Sequence, residues 1–438
     1  MRYPSKVSKA HLFKLSIPIF FANVAIPLVG VVDTALMGHL SEVKYLASVS
    51  IATYLVTMIL WSFGFLRMGT TGMVAQHLGK GDYREIAFTI LRNLTIAIII
   101  GISIILCKIY VVYLVEYFFD TSDETLNLIN EYISIRLLSA PAELAIYVFA
   151  GLYIGLQMTK ISSILIAFYS FFNIFLSIYF VNTLNLNVTG VALGTVLSAY
   201  ISVLFVSIFT YYFIKQKFNV ILRFRKIFVK KKIIQLFNIN FDIFIRTLFL
   251  TFSFLWFIYL SSKISEDYLA INSILLQFIA IAAFFLDAYA FSTEGVVGFQ
   301  LGRRVQKSFL FAVKNSFILS FYTGLIISFL YLIFFKQLIN MMTDLDYLRF
   351  LSYEFIFWII IIPPIASICY QYDGIFIGTS QTKEMRNCMI FSVILFIFIS
   401  TYLVKILNNH GLWLSLLLFM IMRSLTLRLY FSNILKRF

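Results

Sequence analysis

Long apolar runs govern what this chain can become. Stretches such as 15–37, 87–114 and 268–298 each continue for more than twenty residues with few charges. About 20 such residues are what an α-helix needs to cross a bilayer. A water-soluble fold has no use for so many. Of the 438 residues 61% are hydrophobic and 13% charged, whereas soluble domains hold roughly 45–50% apolar and about 25% charged residues. Too little polar side chain is left to cover a soluble surface. The runs are continuous, not alternating, which excludes a β-barrel. With 19 Gly, 6 Pro and 3 Cys, collagen, low-complexity and disulfide-scaffold classes are excluded as well. The chain reads as an all-α polytopic membrane protein. At roughly 35 residues per helix and connection it holds about twelve transmembrane helices.

The predicted spans are 15–37, 46–70, 87–114, 131–155, 161–183, 190–214, 238–260, 268–298, 309–335, 350–378, 388–407 and 411–432. The first is too long for the apolar core of a signal peptide and is read as an uncleaved span. The net charge of +15 would suggest a nucleic-acid partner in a soluble protein. Here the bases sort by loop. The N-terminus (Arg2, Lys6, Lys9, Lys14) and the even-numbered loops (Lys80, Arg84, Lys160, the 215–232 segment, Arg303, Arg304, Lys307, Lys383, Arg386) are basic. The opposite loops carry most acids, among them Glu116, Asp120, Asp123, Glu124, Glu266, Asp267, Asp344 and Asp346. Bases collect on the cytoplasmic side, so an even number of spans with both termini cytoplasmic is expected, and no nucleic-acid partner. The segment KQKFNVILRFRKIFVKKK lies at the midpoint and reads as a cytoplasmic linker, 215–235, between an N-lobe over 1–214 and a C-lobe over 236–438. Its bases suit an anchor on anionic lipid.

An internal repeat supports two six-helix lobes. Shifting the chain by 223 residues lays Leu46-Ala47 on Leu269-Ala270, Thr70-x-Gly72-x-Val74 on Thr293-x-Gly295-x-Val297, and Pro141 on Pro364. The same shift lays Gly151-x-x-Ile154-Gly155 on Gly374-x-x-Ile377-Gly378. Parallel repeats of this kind belong to transporters, with sites between or inside the lobes.

The repeat does not share the acids within the spans. Asp33 falls on Trp256, Asp242 on Ile19, Asp287 on Gly64, Glu294 on Thr71 and Asp373 on Ala150. A carboxylate in hydrocarbon costs at least about 2.5 kcal/mol, so each needs a reason of its own. One reason is a proton or cation relay facing a cavity. The other is a structural pair with a neighbouring base, as Asp242 could form with Arg246 one turn later. Asp33 has no base within a turn. Glu143 and Glu354 are read as structural. Pro27, six residues before Asp33, removes a helical hydrogen bond and is a candidate hinge. The scattered Cys107, Cys369 and Cys388, with His11, His39, His77 and His410, suggest no metal site. No Walker A, HExxH or GxSxG sequence occurs, so an enzyme is not expected and transport would draw on an ion gradient.

Val32-Asp33-Thr34-Ala35-Leu36-Met37-Gly38-His39-Leu40 resembles the first span of multidrug and toxic compound extrusion (MATE) transporters. Gly64 to Gly72, Asp242 to Thr247, Phe285-Leu286-Asp287 with Glu294, and Asp373 to Gly378 followed by Met385-Arg386-Asn387 resemble its DinF subgroup. The resemblance spans essentially the whole chain. It implies a secondary antiporter in a bacterial inner (plasma) membrane, working as a monomer without cofactor. Such a protein exports organic, often cationic and aromatic compounds in exchange for H⁺ or Na⁺. Asp33 matches the family's first-helix acid, thought to take the coupling ion. Asn173 and Thr195 match its partners, and Ser177 stands where relatives carry a second acid. A hard cation favours charged oxygens, so H⁺ is preferred over Na⁺. Asp287, Glu294 and Asp373, together with Asp242 and Arg246, form the expected C-lobe polar cluster. The rival readings are a lipid-linked oligosaccharide flippase of the same superfamily and a non-transporting receptor or scaffold.

Overall fold

A computed structural model describes residues 7–40, 42–118, 122–218 and 227–438. Arg2, Lys6, Asp120 and residues 219–226 of the expected linker lie outside the described residues. Among the described residues there are helices and short connections and no strands. In chain order the helices are α1 Lys9–Gly38, α2 Val43–Trp61, α3 Phe65–Lys80, α4 Tyr83–Leu106, α5 Lys108–Phe118, α6 Asp123–Arg136, α7 Ala140–Gly155, α8 Thr159–Ile178 and α9 Asn187–Phe218. Then come α10 Lys230–Ile264, α11 Glu266–Gly302, α12 Gln306–Met342, α13 Asp346–Tyr353, α14 Ile356–Gly378 and α15 Thr382–Leu435.

Among the described residues, eleven helical segments are long and apolar enough to cross a membrane. The last, α15, has 54 residues. At 1.5 Å per residue a straight helix of that length measures about 80 Å, more than twice the hydrocarbon thickness of ~30 Å. It is not straight, because Asn408 leaves helical geometry at φ 49°, ψ −132°. The segments 382–407 and 409–435 are therefore two passes, and the described residues hold twelve. Three buried side chains hold this turn. Asn272 of α11 donates to Asn409 Oδ1 at 2.6 Å and accepts from Trp413 Nε1 at 2.8 Å. Other turns follow ordinary end chemistry. Gly81, at φ 73°, closes α3 in the left-handed region, and the Asp82 carboxylate caps α4 by accepting from Glu85 N–H.

The chain divides into two compact units, Phe21–Leu236 and Met1–Phe20 with Phe237–Phe438. The division falls inside α1. Each unit packs in the way its counterpart does. In the first, α7 closes on α3 where Gly151 meets the Arg67 carbonyl and the Thr70 side chain, and α4 closes on Pro141 at Gly101. In the second, α14 closes on α11 where Gly374 meets the Ala290 carbonyl, and α12 closes on Pro364 at Gly324. These positions correspond under the 223-residue shift, so the sequence repeat is a repeat of close helix packing. Lipid tails are as apolar as leucine and drive no helix association. Small residues that let backbones approach supply the contact instead. Large apolar side chains such as Phe21, Leu106, Phe171, Phe398 and Leu429 stay exposed on the helix surfaces.

Candidate functional site

In the unit 21–236, α1 carries Asp33 at 5% exposure. Ser177 of α8 lies within hydrogen-bonding reach of its carboxylate. The Ser177 hydroxyl in turn donates to Asn173 Oδ1 at 3.5 Å, and Asn173 Nδ2 donates to Thr195 Oγ1 of α9 at 2.9 Å. Asn173 and Ser177 stand one turn apart on α8, so both present to one face. Gly194 of α9 admits this contact, because a Cβ there would lie 2.7 Å from Ser177 Oγ. The structure thus brings Asp33, Asn173, Ser177 and Thr195 into one chain of contacts. Asp33 Oδ1 is buried and has no hydrogen-bond partner among the described residues. Pro27 lies in the same helix and is exposed, and α1 runs through it as one helix.

Arg136 stands at the end of α6 and is 8% exposed. It donates to Glu143 and to the Ser139 hydroxyl across the 3-10 turn Leu137–Ser139. Glu143 is therefore half of a buried ion pair with Arg136. Sequence reasoning did not join the two. The usable signal was spacing: Arg136 and Glu143 are seven residues apart in one span, two turns on one face.

The second unit holds another cluster. Asp373 of α14 accepts through Oδ2 from Arg246 of α10 and, at 2.7 Å, from Arg423 of α15. Asp287 lies on α11 and is half-buried. A small apolar cleft, with room for about 10 Å³, adjoins Tyr370, bordered by Leu286, Pro363 and Met420. Glu294 is 1% exposed, and a Cβ on Gly378 would meet its carbonyl. Asp242 departs from the expected pairing with Arg246. It accepts from Arg386 at 2.6 Å and from Thr382 at 3.0 Å, at the start of α15. An i, i+4 pair was open to it on α10. However, α14 brings Asp373 to Arg246, and the start of α15 offers Asp242 two donors. Arg423 was missed as a partner, although a base inside a span calls for one.

The MatE family profile matches residues 18–179 and 243–403, once in each half. DNA damage-inducible protein F of Escherichia coli (strain K12) is 30% identical over 416 residues, spanning 95% of this chain and 90% of that protein. Multidrug export protein MepA of Staphylococcus saprophyticus is 22% identical over 245 residues, 55% of this chain and 54% of that protein. A solved outward-facing multidrug resistance MATE family transporter of the MOP superfamily superposes with a TM-score of 0.87 at 18% identity, covering 99% of both chains.

Proposed function

This chain belongs to the MatE family of multidrug transporters, and from that premise we propose that it is a proton-coupled antiporter exporting organic, often cationic and aromatic compounds. It works as a monomer in a bacterial inner membrane with both termini in the cytoplasm. Asp33 is the coupling acid. The observation that supports this is its buried carboxylate, with Oδ1 unpartnered and a neutral set of neighbours in Asn173, Ser177 and Thr195. An ionised carboxylate there lacks the donors that would fully compensate its charge, and taking up a proton relieves that cost. Protonation also turns Asp33 from acceptor into donor, so its contact with Ser177, whose one hydrogen goes to Asn173, is remade. Helix α1 then bends near Pro27 and substrate leaves outward. Deprotonation on the cytoplasmic side resets the cluster. With Ser177 in place of a second acid, one carboxylate is a poor set of ligands for Na⁺.

The test is uptake of a fluorescent organic cation into everted vesicles, with a pH or a Na⁺ gradient imposed separately. Uptake is expected with the pH gradient alone. Asp33→Asn is expected to abolish it while leaving protein in the membrane. Unchanged export by that variant would overturn the assignment.

A further inference from the structure

The chain passes between its two units twice, and both passages fall inside helices: α1 at Phe20 and Phe21, α10 at Leu236 and Phe237. No loop lies there to absorb a movement of one unit against the other, which alternating access requires. A crossing helix then has two ways to yield. It bends at the crossing, or its start lets go of the unit that holds it.

The two starts are gripped in a related way. Asn315 of α12 donates through Nδ2 to the Val7 carbonyl at 2.8 Å, and Arg92 of α4 donates through Nε to the Ile227 carbonyl. Arg92 and Asn315 correspond under the 223-residue shift. All four residues are at most 4% exposed. Beyond these grips the likeness ends. The start of α1 is also pinned by neutral contacts: Ser16 Oγ lies 2.8 Å from Ser292 Oγ, and the Phe20 ring meets Tyr289 edge to face. Pro18, two residues before the crossing, removes a helical hydrogen bond where a bend would fall. The start of α10 is held by charge. Glu85 Oε2 lies 3.1 Å from Arg92 Nη1 and 3.7 Å from Lys232 Nζ, and the Glu85 and Lys232 side chains are 19% and 39% exposed. Water reaches the edge of this grip, so the Glu85–Lys232 pair parts at little cost. Arg92 Nη2 is buried without a partner and gains one when water enters. From Lys230 to Ile264, α10 contains neither proline nor glycine, the usual causes of a sharp bend.

We propose that Arg92 and Glu85 form a releasable latch on the start of α10: that start leaves α4 during transport and α10 moves as one stiff rod, whereas α1 stays pinned at its start and bends at Pro18. Arg92 is a positioning residue in this scheme, acting through α10. The scheme rests on transport by alternating access and not on which ion drives it.

Both grips take a backbone carbonyl, so the side chains beside them are free to carry a reporter. Ile227→Cys and Val7→Cys are made separately in a chain carrying Cys107→Ala, Cys369→Ala and Cys388→Ala. Reaction with N-ethylmaleimide, which crosses membranes and so ignores orientation, is timed in vesicles at rest and during uptake of the fluorescent cation. Ile227→Cys is expected to react several-fold faster during uptake, and Val7→Cys to react at one slow rate in both states. Adding Arg92→Gln is expected to raise the resting rate of Ile227→Cys several-fold and to leave Val7→Cys unchanged; this arm needs no gradient. Should Arg92→Gln fail to reach the membrane, Glu85→Gln loosens the same latch and carries the same expectation. Absence of either increase would overturn the latch. So would both cysteines speeding up together, because a general loosening of the fold exposes the two alike. Vesicles that take up no cation under any gradient speak against the transport reading itself; vesicles that transport while Ile227→Cys stays slow sink only the latch.

Discussion

Asp373 accepts from two guanidinium groups through a single oxygen, and all three side chains are nearly or fully buried. Removing the shared acid strands two guanidinium groups where water cannot reach them, at a cost of about 3–5 kcal/mol. Asp373→Ala is expected to lower stability by that order, read as a marked loss of thermal stability in detergent. Arg386→Met is the contrasting case. Arg386 has a side-chain exposure of 25% and its partner Asp242 keeps the Thr382 hydroxyl. Its loss is expected to cost no more than about 1 kcal/mol. An equal loss in both variants would show that burial does not set the difference. At this scale the sequence pointed to acids that the fold buries, Asp33, Asp242, Glu294 and Asp373, because an ionisable residue in an apolar run is conspicuous. It did not supply their partners. Asp242 and Arg246 stand one turn apart and pair elsewhere, whereas Arg246, Asp373 and Arg423 come from α10, α14 and α15 and share no local pattern.

Helices were legible through their apolar lengths, and their ends were not. The predicted span 238–260 is the core of α10, which runs from Lys230 to Ile264. An apolar run measures the hydrocarbon it must cross, while the helix continues through polar residues into the headgroup region. The expected span 46–70 proved to be one pass made of two helices with a break at residues 62–64. What the helices share across the repeat is close contact at glycine. A Cβ on Gly374 would lie 2.6 Å from the Ala290 carbonyl oxygen, which belongs to backbone and cannot swing away. Gly374→Val is therefore expected to separate α14 from α11 at a cost of about 1–3 kcal/mol, measured as a lower unfolding temperature in detergent. Gly30→Ala, with nothing within 4 Å of an added Cβ, is the matched control and is expected to leave that temperature unchanged within error.

For the molecule as a whole, the sorting of bases between loops is a statement about orientation that labelling can check. Cys107 follows α4 and is exposed, while Cys369 and Cys388 are buried. With cytoplasmic termini, the third pass ends outside. A membrane-impermeant maleimide is then expected to label Cys107 from the outer face of intact cells and to leave the other two cysteines unlabelled until the protein is denatured. Labelling of Cys107 only in everted vesicles would reverse the orientation.

Taken alone, the sequence determined the membrane-spanning class, the twelve passes, the repeat and the presence of a few acids within the spans. Each of these follows from one-dimensional properties: apolar length, charge sign along the chain and recurrence at a constant shift. Only the tertiary structure decided which charges meet. It turned Asp242 toward Arg386, put two arginines on Asp373, and paired Arg136 with Glu143. The physical reason is that a buried charge must find compensation, and in a bundle the nearest donor is chosen by which helix faces it, a relation that distance along the chain does not encode.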